Sequence, residues 1–483
     1  MSDKPPKRRV LIIANAFPPT GGAGVQRTAK FAKYLTRFGW RPVVWSASYV
    51  PSLPLDATLL DDLPDDLDCR RRPTWDPTRR IERTLTPLAE LVGGWSAMAS
   101  LVDGIARRLG RLSRWLLARC VPDEQVIWAL SSYRTLRRII RDENIGVIFS
   151  TFSPASNHLL AWMLQKKTGL PWVADFRGLW TDDHEHVGRW VWRRLVDRAL
   201  EQRFLTGAEA VIAASNAQRD ILADRVPHEK GKFHTIPNGL DFEDFDKIPS
   251  CHICGTVGPE RKKFTLTFAG QFRETQVSPE YLEGIGKFIR RSAEYERGFE
   301  LRIVGQISDR LRERAHEAGV PLVATGYLPH LEALSEMNSA DMLLLPTAIK
   351  TSSSSVVPGK VFEYLGSGRP IFVIGERDST VARLVESLEA GVCVDRNAEA
   401  IADALTAYWW AWKEGGLPGG CKRNKLVRLD LEALADRLSG VMIRLIGHTV
   451  IAERSLPVRE VAAAVPLQTT GTREAEPVEV MSP

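Results

Sequence analysis

Apolar positions along the chain fall into two alternating rhythms. Short strand-like runs occur at Arg9–Asn15, at Pro42–Ser46, and within "IGVIFSTFSP", "LPWVADFRG" and "AEAVIAAS". Between them, apolar residues recur at helical spacing. The first such segment spans Gln26–Phe38, with Phe31, Leu35 and Phe38 on one stripe, and Gly39 ends it. "FHTIPNGLDFEDF" (233–245) marks a crossing, because Pro237-Asn238-Gly239 is a strong turn signal. A second set of strands follows in "FTLTFAG", "LRIVG", "PLVATGY", "DMLLLP", "PIFVIG" and "GVCV". Strands alternating with helices predict parallel sheets covered on both faces. The expected class is α/β, with two doubly wound Rossmann-like domains facing a central cleft. Ligands of such sheets bind beyond the carboxyl ends of the strands.

The expected boundaries are 1–236 for the first domain, with an Arg- and Trp-rich insertion at about 50–125 that carries few strand signals. The second domain covers 237–430, a C-terminal helix 431–451, and a tail 452–483 without aromatics or periodicity is expected to be disordered. At 483 residues, two domains are also the prior from length. A net charge of +6, from 65 basic and 59 acidic residues, is too small to indicate a nucleic-acid binder. Six cysteines make no disulfide framework. Cys251-His-Ile-Cys254 has zinc-like spacing but no second ligand pair nearby, so no metal site is assigned. The N-terminus is basic and then apolar, but Val10–Ala14 is shorter than a signal-peptide core and reads as a first strand. No apolar run approaches 18 residues, so a cytoplasmic location is expected.

Chemistry concentrates in "SSSSVVPGKVFEYLGSGRPIFVIG" (352–375). A serine run leads into Pro358, Gly359 and Lys360, then a short helix pattern with Glu363 one turn on. Pro358 suits a first helical turn, whose free N–H groups and positive dipole end would hold an anion beside Lys360. Glu363 shares the face of Lys360 and is suited to accept hydrogen bonds from the two hydroxyls of a ribose. Together they suggest a sugar-nucleotide diphosphate; an ordinary surface ion pair is the plain alternative. Gly22 and Gly24, after the first strand, allow close approach of backbone to a ligand. Arg27 and the lack of an acidic residue after the second strand disfavour a nicotinamide dinucleotide. Gly270 ends a strand in "FAGQFRET", and Arg273 in the next loop could clamp a diphosphate or simply be exposed. Asp175 and Arg177 follow a strand end. Asp182 to His186 resemble a metal cluster but lack ordered spacing and read as a solvated loop, and Asp66-Leu-Asp68, superficially a metal-binding DxD pair, lies in a Pro-containing acidic stretch rather than after a core strand and is set aside. His158 sits on an apolar helix pattern, catalytic or structural, and Ser153 either contacts a ligand or caps that helix.

"LIIANAFPPTGGAGVQRTAKFAKYLTRFGWRPVV", "PWVADFRGLW", "TIPNGLD" and "VPGKVFEYLGSGRPI" together resemble the GT4-type retaining glycosyltransferases of the GT-B fold, especially bacterial members that build exopolysaccharide and cell-envelope glycans. The resemblance covers most of 9–445. It implies sugar transfer from a nucleotide diphosphate sugar to a glycan or lipid-linked acceptor, with retention and no obligate cofactor. The donor would bind the second domain and the acceptor the first. By position, Glu363 matches the second glutamate of an E-x7-E motif, the ribose ligand. Lys360 and Arg273 fall at the donor diphosphate, and Gly22, Gly24, Gly270, Ser355 and Gly359 fall among donor-binding positions. Ser153, Asp175 and Arg177 are candidates on the acceptor side. Ser355 stands where the first motif glutamate is expected, and the lysine expected after Arg273 is missing. A non-catalytic protein binding nucleotide sugar or glycan is the alternative that these departures motivate.

"IARRLGRLSRWLLARC" (105–120) interleaves five arginines with Leu and Trp, a basic amphipathic pattern suited to an anionic membrane surface. Eleven of the 14 tryptophans lie in the first 192 residues, the half expected to hold the acceptor. Peripheral attachment to the inner membrane face would explain both, and a helix packed on its own domain is the plain alternative.

Overall fold

The computed structural model describes residues 8–50, 53–74, 108, 119–182, 190–248, 263–274, 277–347 and 357–455. Thirteen described strands form two parallel sheets. The first contains β1 (Arg8–Ile13), β2 (Trp40–Ala47), β3 (Asp68–Arg72), β4 (Val147–Phe152), β5 (Trp172–Phe176), β6 (Ala210–Ala213) and β7 (Phe233–Thr235), in the order β3-β2-β1-β4-β5-β6-β7. The second contains β8 (Phe264–Ala269), β9 (Phe299–Val304), β10 (Leu322–Ala324), β11 (Met342–Pro346), β12 (Ile371–Ile374) and β13 (Gly391–Val394), in the order β10-β9-β8-β11-β12-β13. The central strands are apolar without alternation because helices bury both faces; Val10 to Ile13 and Met342 to Leu345 are fully buried.

In each sheet the winding reverses beside its first strand, between β1 and β4 and between β8 and β11. That is where a doubly wound sheet opens a crevice at its carboxyl edge. The first helix, Ala23–Leu35, leaves the crevice of the first sheet and ends through a 3-10 turn at Gly39, whose φ of +78° suits glycine.

Two elements differ from the sequence expectation. β3 lies inside the insertion thought poor in strands; its residues, DCRRR, are polar because it is an edge strand pairing only with β2. The last helix runs from Leu431 to Ser455, past the expected 451, and returns to the first domain. Leu434, Leu438 and Met442 pack with Val10, Ile12 and Trp40, and Trp40 Nε1 donates to Ser439 Oγ at 2.9 Å. The basic amphipathic stretch 105–120 lies almost wholly outside the described residues, as do Cys251, Cys254, Ser355 and the tail beyond 455.

Candidate functional site

The donor-side candidates gather at the winding reversal of the second sheet. β8 ends at Ala269, whose N–H donates to Tyr364 Oη at 2.7 Å, fixing the helix Lys360–Gly366 against the strand end. That helix is only seven residues long and begins at Lys360, with Pro358 two residues before it. The local positive charge is therefore chiefly the lysine itself. Its Nζ stands 3.9 Å above the ring of Phe268. Gly270 has φ +114°, and a Cβ there would lie 3.3 Å from Lys360 Nζ. No carboxylate pairs with Lys360 among the described residues. Burial pushes its pKa down to about 8, with Glu363 pulling the other way.

Glu363 lines a cavity with Gly359, His330, Asn238, Asp244 and, from the first domain, Gln26. The cavity is partly open to solvent. Burial raises the pKa of Glu363 against the opposing pull of His330. Its Oε1 lies 4.0 Å from His330 Nδ1.

His330, absent from the sequence candidates, is the residue that joins the two halves. It opens the helix His330–Ser339 after Pro329. Its Nε2 lies 3.1 Å from Asp244 Oδ2 and its Nδ1 2.8 Å from Gln26 Nε2, while its backbone N–H donates to Asp56 Oδ2 at 3.3 Å. Burial opposes its charge, but Asp244 and Glu363 together raise its pKa. Tyr327 Oη donates to the same Asp56 oxygen at 3.0 Å, and a Cβ on Gly21 would lie 2.7 Å from that hydroxyl. The glycine loop and the start of this helix thus touch across the cleft. Pro329-His330 directly after a strand was the available signal, a helix start aimed at the carboxyl edge.

On the first domain, Gly22 has φ +114°, and a Cβ on Gly24 would lie 2.6 Å from Arg177 Nη1. Arg177 donates to the carbonyls of Gly24, Phe152 and Ser153, so it clips the glycine loop to the end of β4. Asp175 is fully buried and receives Arg27 through Nε at 3.2 Å and Nη2 at 2.9 Å, and Thr151 Oγ1 at 3.0 Å. Arg27 continues to the carbonyls of Ile236 and Pro237, binding the crossing segment to the first domain. Asp175 therefore supports the cleft from behind and is not in reach of an acceptor.

His158 is not brought to the cleft either. It has no exposed surface; its ring centroid is 4.6 Å from that of Phe176, and its Nδ1 lies 2.8 Å from Ser150 Oγ. Burial lowers its pKa to about 3, so it is neutral and structural. Ser153 is exposed at the mouth of β4 and does not cap the next helix, Ser156–Thr168. Asp123 takes that part, accepting from Ser156 N at 2.9 Å and Ser156 Oγ at 2.6 Å. Arg273 is exposed beyond β8 without a side-chain partner among the described residues.

Behind the cleft, Lys30 of the first helix places Nζ 2.6 Å from Asp62, 2.5 Å from Asp241 and 2.7 Å from Asp244. These are the three carboxylates that come close enough to surround a cation, and an ammonium occupies their centre. Asp62 belongs to the acidic run 61–68, whose DxD pair is set aside as a metal site. Asp182, from the other acidic loop, pairs with Arg225, and 183–186 lie outside the described residues.

Residues 20–244 match the model of Glycosyltransferase Family 4. The match lies over the first domain and the crossing segment, somewhat less than half of the chain. The whole chain has the GT-B fold, shown by its likeness to solved structures. Sucrose-phosphate synthase from Thermosynechococcus elongatus is 14% identical with a TM-score of 0.57, over 91% of this chain and 100% of that one. Anabaena HepE, solved with UDP-glucose, is 12% identical with a TM-score of 0.57, over 92% and 99%. WaaG, a glycosyltransferase involved in lipopolysaccharide biosynthesis, is 14% identical with a TM-score of 0.56, over 90% and 99%. No curated protein matches the sequence. Gly270, Gly359, Lys360 and Glu363 share the second domain's edge of the cleft, across from the glycine loop of the first.

Proposed function

We propose that this glycosyltransferase moves a sugar from a nucleotide diphosphate sugar to a glycan or lipid-linked acceptor, with retention at the anomeric carbon. The observation that carries the reading is Lys360, a half-buried cation without a carboxylate partner among the described residues, one helical turn from Glu363 at the carboxyl edge of the second sheet. A diphosphate supplies the missing counter-charge, and Glu363 accepts the ribose hydroxyls. As the glycosidic bond breaks, negative charge grows on the leaving diphosphate, and Lys360 and Arg273 stabilise it. The same leaving oxygen takes the proton of the incoming hydroxyl on the face it departs from, which retains configuration without a carboxylate nucleophile. The step needs no obligate cofactor. The sequence resemblance supports a place in polysaccharide or cell-envelope glycan synthesis, at the cytoplasmic side of the membrane.

A panel of nucleotide sugars tests this, followed by thermal stabilisation and by donor breakdown, with Glu363→Ala as control. The expected result is stabilisation by one donor with slow breakdown, both lost in the variant. Stabilisation without breakdown, persisting across lipid-linked and glycan acceptors, would replace the enzyme by the non-catalytic nucleotide-sugar binder. No stabilisation by any donor would remove the site.

A further inference from the structure

The helix Val191–Gly207 presents an outward face that nothing in the donor site uses. Trp190, Trp192 and Leu195 are 73%, 51% and 63% exposed, and Val191 and Val196 are exposed beside them. Singly, exposed apolar residues need no explanation, but five within seven positions form a patch. The charges of this helix are sorted. Both of its acids point inward and are paired: Asp197 with Arg193 Nε at 2.9 Å, and Glu201 with Thr181 Oγ1 at 2.6 Å and with Arg225. Its exposed charges, Arg194, Arg198 and Arg203, are all positive. The outward face therefore combines two tryptophans and aliphatic side chains with three arginines that have no carboxylate partner among the described residues, the composition of an interfacial helix on an anionic bilayer.

Its position adds a second argument. The helix follows β5 and packs back on it, so its first turn stands at the carboxyl edge of the first sheet. Arg193 fixes it there by donating to the carbonyls of Cys120 and Pro122, next to Asp123, which caps the helix after β4. The patch and Ser153 are thus on the same edge of the first domain.

We propose that the face formed by Trp190, Trp192, Arg194, Leu195, Val196 and Arg198 docks on an anionic membrane surface, and so turns the acceptor side of the cleft toward lipid-anchored acceptors. This deepens the donor-site reading by naming the acceptor class, while the docking itself stands without it. The test is flotation of the full chain with vesicles of equal phosphatidylglycerol and phosphatidylcholine, against phosphatidylcholine alone, for the natural protein, Arg194→Glu/Arg198→Glu and Trp192→Ser/Leu195→Ser. The expected result is binding to the anionic vesicles only, weakened by salt, and reduced at least about tenfold in each variant. All four side chains are exposed, so melting temperature and stabilisation by donor should not change. That keeps a failure of docking separate from a failure of the donor site. No flotation of the natural protein, or equal flotation of the variants, overturns the proposal. So does self-association abolished by Trp192→Ser/Leu195→Ser, which would assign the face to a second copy of the chain.

Discussion

Two lysines withdrawn from solvent, Lys30 fully and Lys360 in part, stand on opposite sides of the cleft in opposite electrostatic settings. Lys30 is ringed by Asp62, Asp241 and Asp244 at 2.5 to 2.7 Å, and although burial opposes its charge, the carboxylates raise its pKa. Lys360 is held over an aromatic ring without a carboxylate partner among the described residues, and burial lowers its pKa to about 8. A charge buried with its partners is part of the architecture. A charge buried without one is tolerated at a cost in the empty protein and is satisfied when an anion arrives. The first lysine ties the crossing segment to the first helix, and the second stands at the carboxyl edge of the second sheet, where the proposed donor would bind.

The comparison breaks if exchanging the lysines for methionine gives the same phenotype. Lys30→Met leaves three carboxylates clustered around an apolar chain, and a loss of about 3–5 kcal/mol in unfolding free energy is expected, read by denaturant titration. Lys360→Met should instead retain or slightly raise the melting temperature while turnover of donor falls about 10²–10³-fold. Unchanged turnover would take Lys360 out of the mechanism. Glu363→Ala removes the acceptor of ribose hydrogen bonds, and a rise of about tenfold or more in donor KM is expected, with a smaller change in kcat.

The smallest effect lies in pH. The pKa of Lys360 is depressed in the folded protein, so between about 8 and its ordinary value near 10.5 the unfolded chain binds more protons than the folded one. Stability from this group therefore rises with pH across that window, and donor affinity falls as the ammonium is lost. Lys360→Met should flatten both trends. Lys30 has the reverse sign: its contribution is fully present below 10.5 and is lost only above it. On the acid side, Asp62 and Asp244 have lowered pKa values despite burial, so the cluster loses stability as pH falls below the ordinary carboxylate range near 3.8.

Much of this was legible because it depends on local pattern. Apolar runs of four to six residues gave the central strands, and the glycines at 22 and 270 stand where φ is positive. Lys360 and Glu363 stood out as candidates because one helical turn carries both, and they do lie on one short helix. What escaped depends on residues far apart in sequence. His330 matters through Gln26, 304 residues earlier, and Asp244, 86 residues earlier. Lys30 looked like any basic residue on an amphipathic helix, since its partners come from the acidic run and the crossing. For Asp175, a candidate on the acceptor side, and His158, left open between catalytic and structural, the structure shows burial away from the cleft. Residue type suggested chemistry, whereas Arg27 and the Phe176 ring enclose them, and enclosure is not written in the neighbouring sequence. β3 was hidden because an edge strand shows the composition of a loop.

The return of the last helix to the first domain also makes the two domains poor units for exchange. A chimera cut at residue 236 would give the donor half the helix that completes the acceptor half's core, leaving Val10, Ile12 and Trp40 facing a mismatched surface or none. Recombination within this fold should instead keep 431–447 with residues 8–236, so that the transferable cassette is the internal segment between them. In that sense the second domain is an insertion carried by the first, and it is replaceable without disturbing the helix that returns to the first domain.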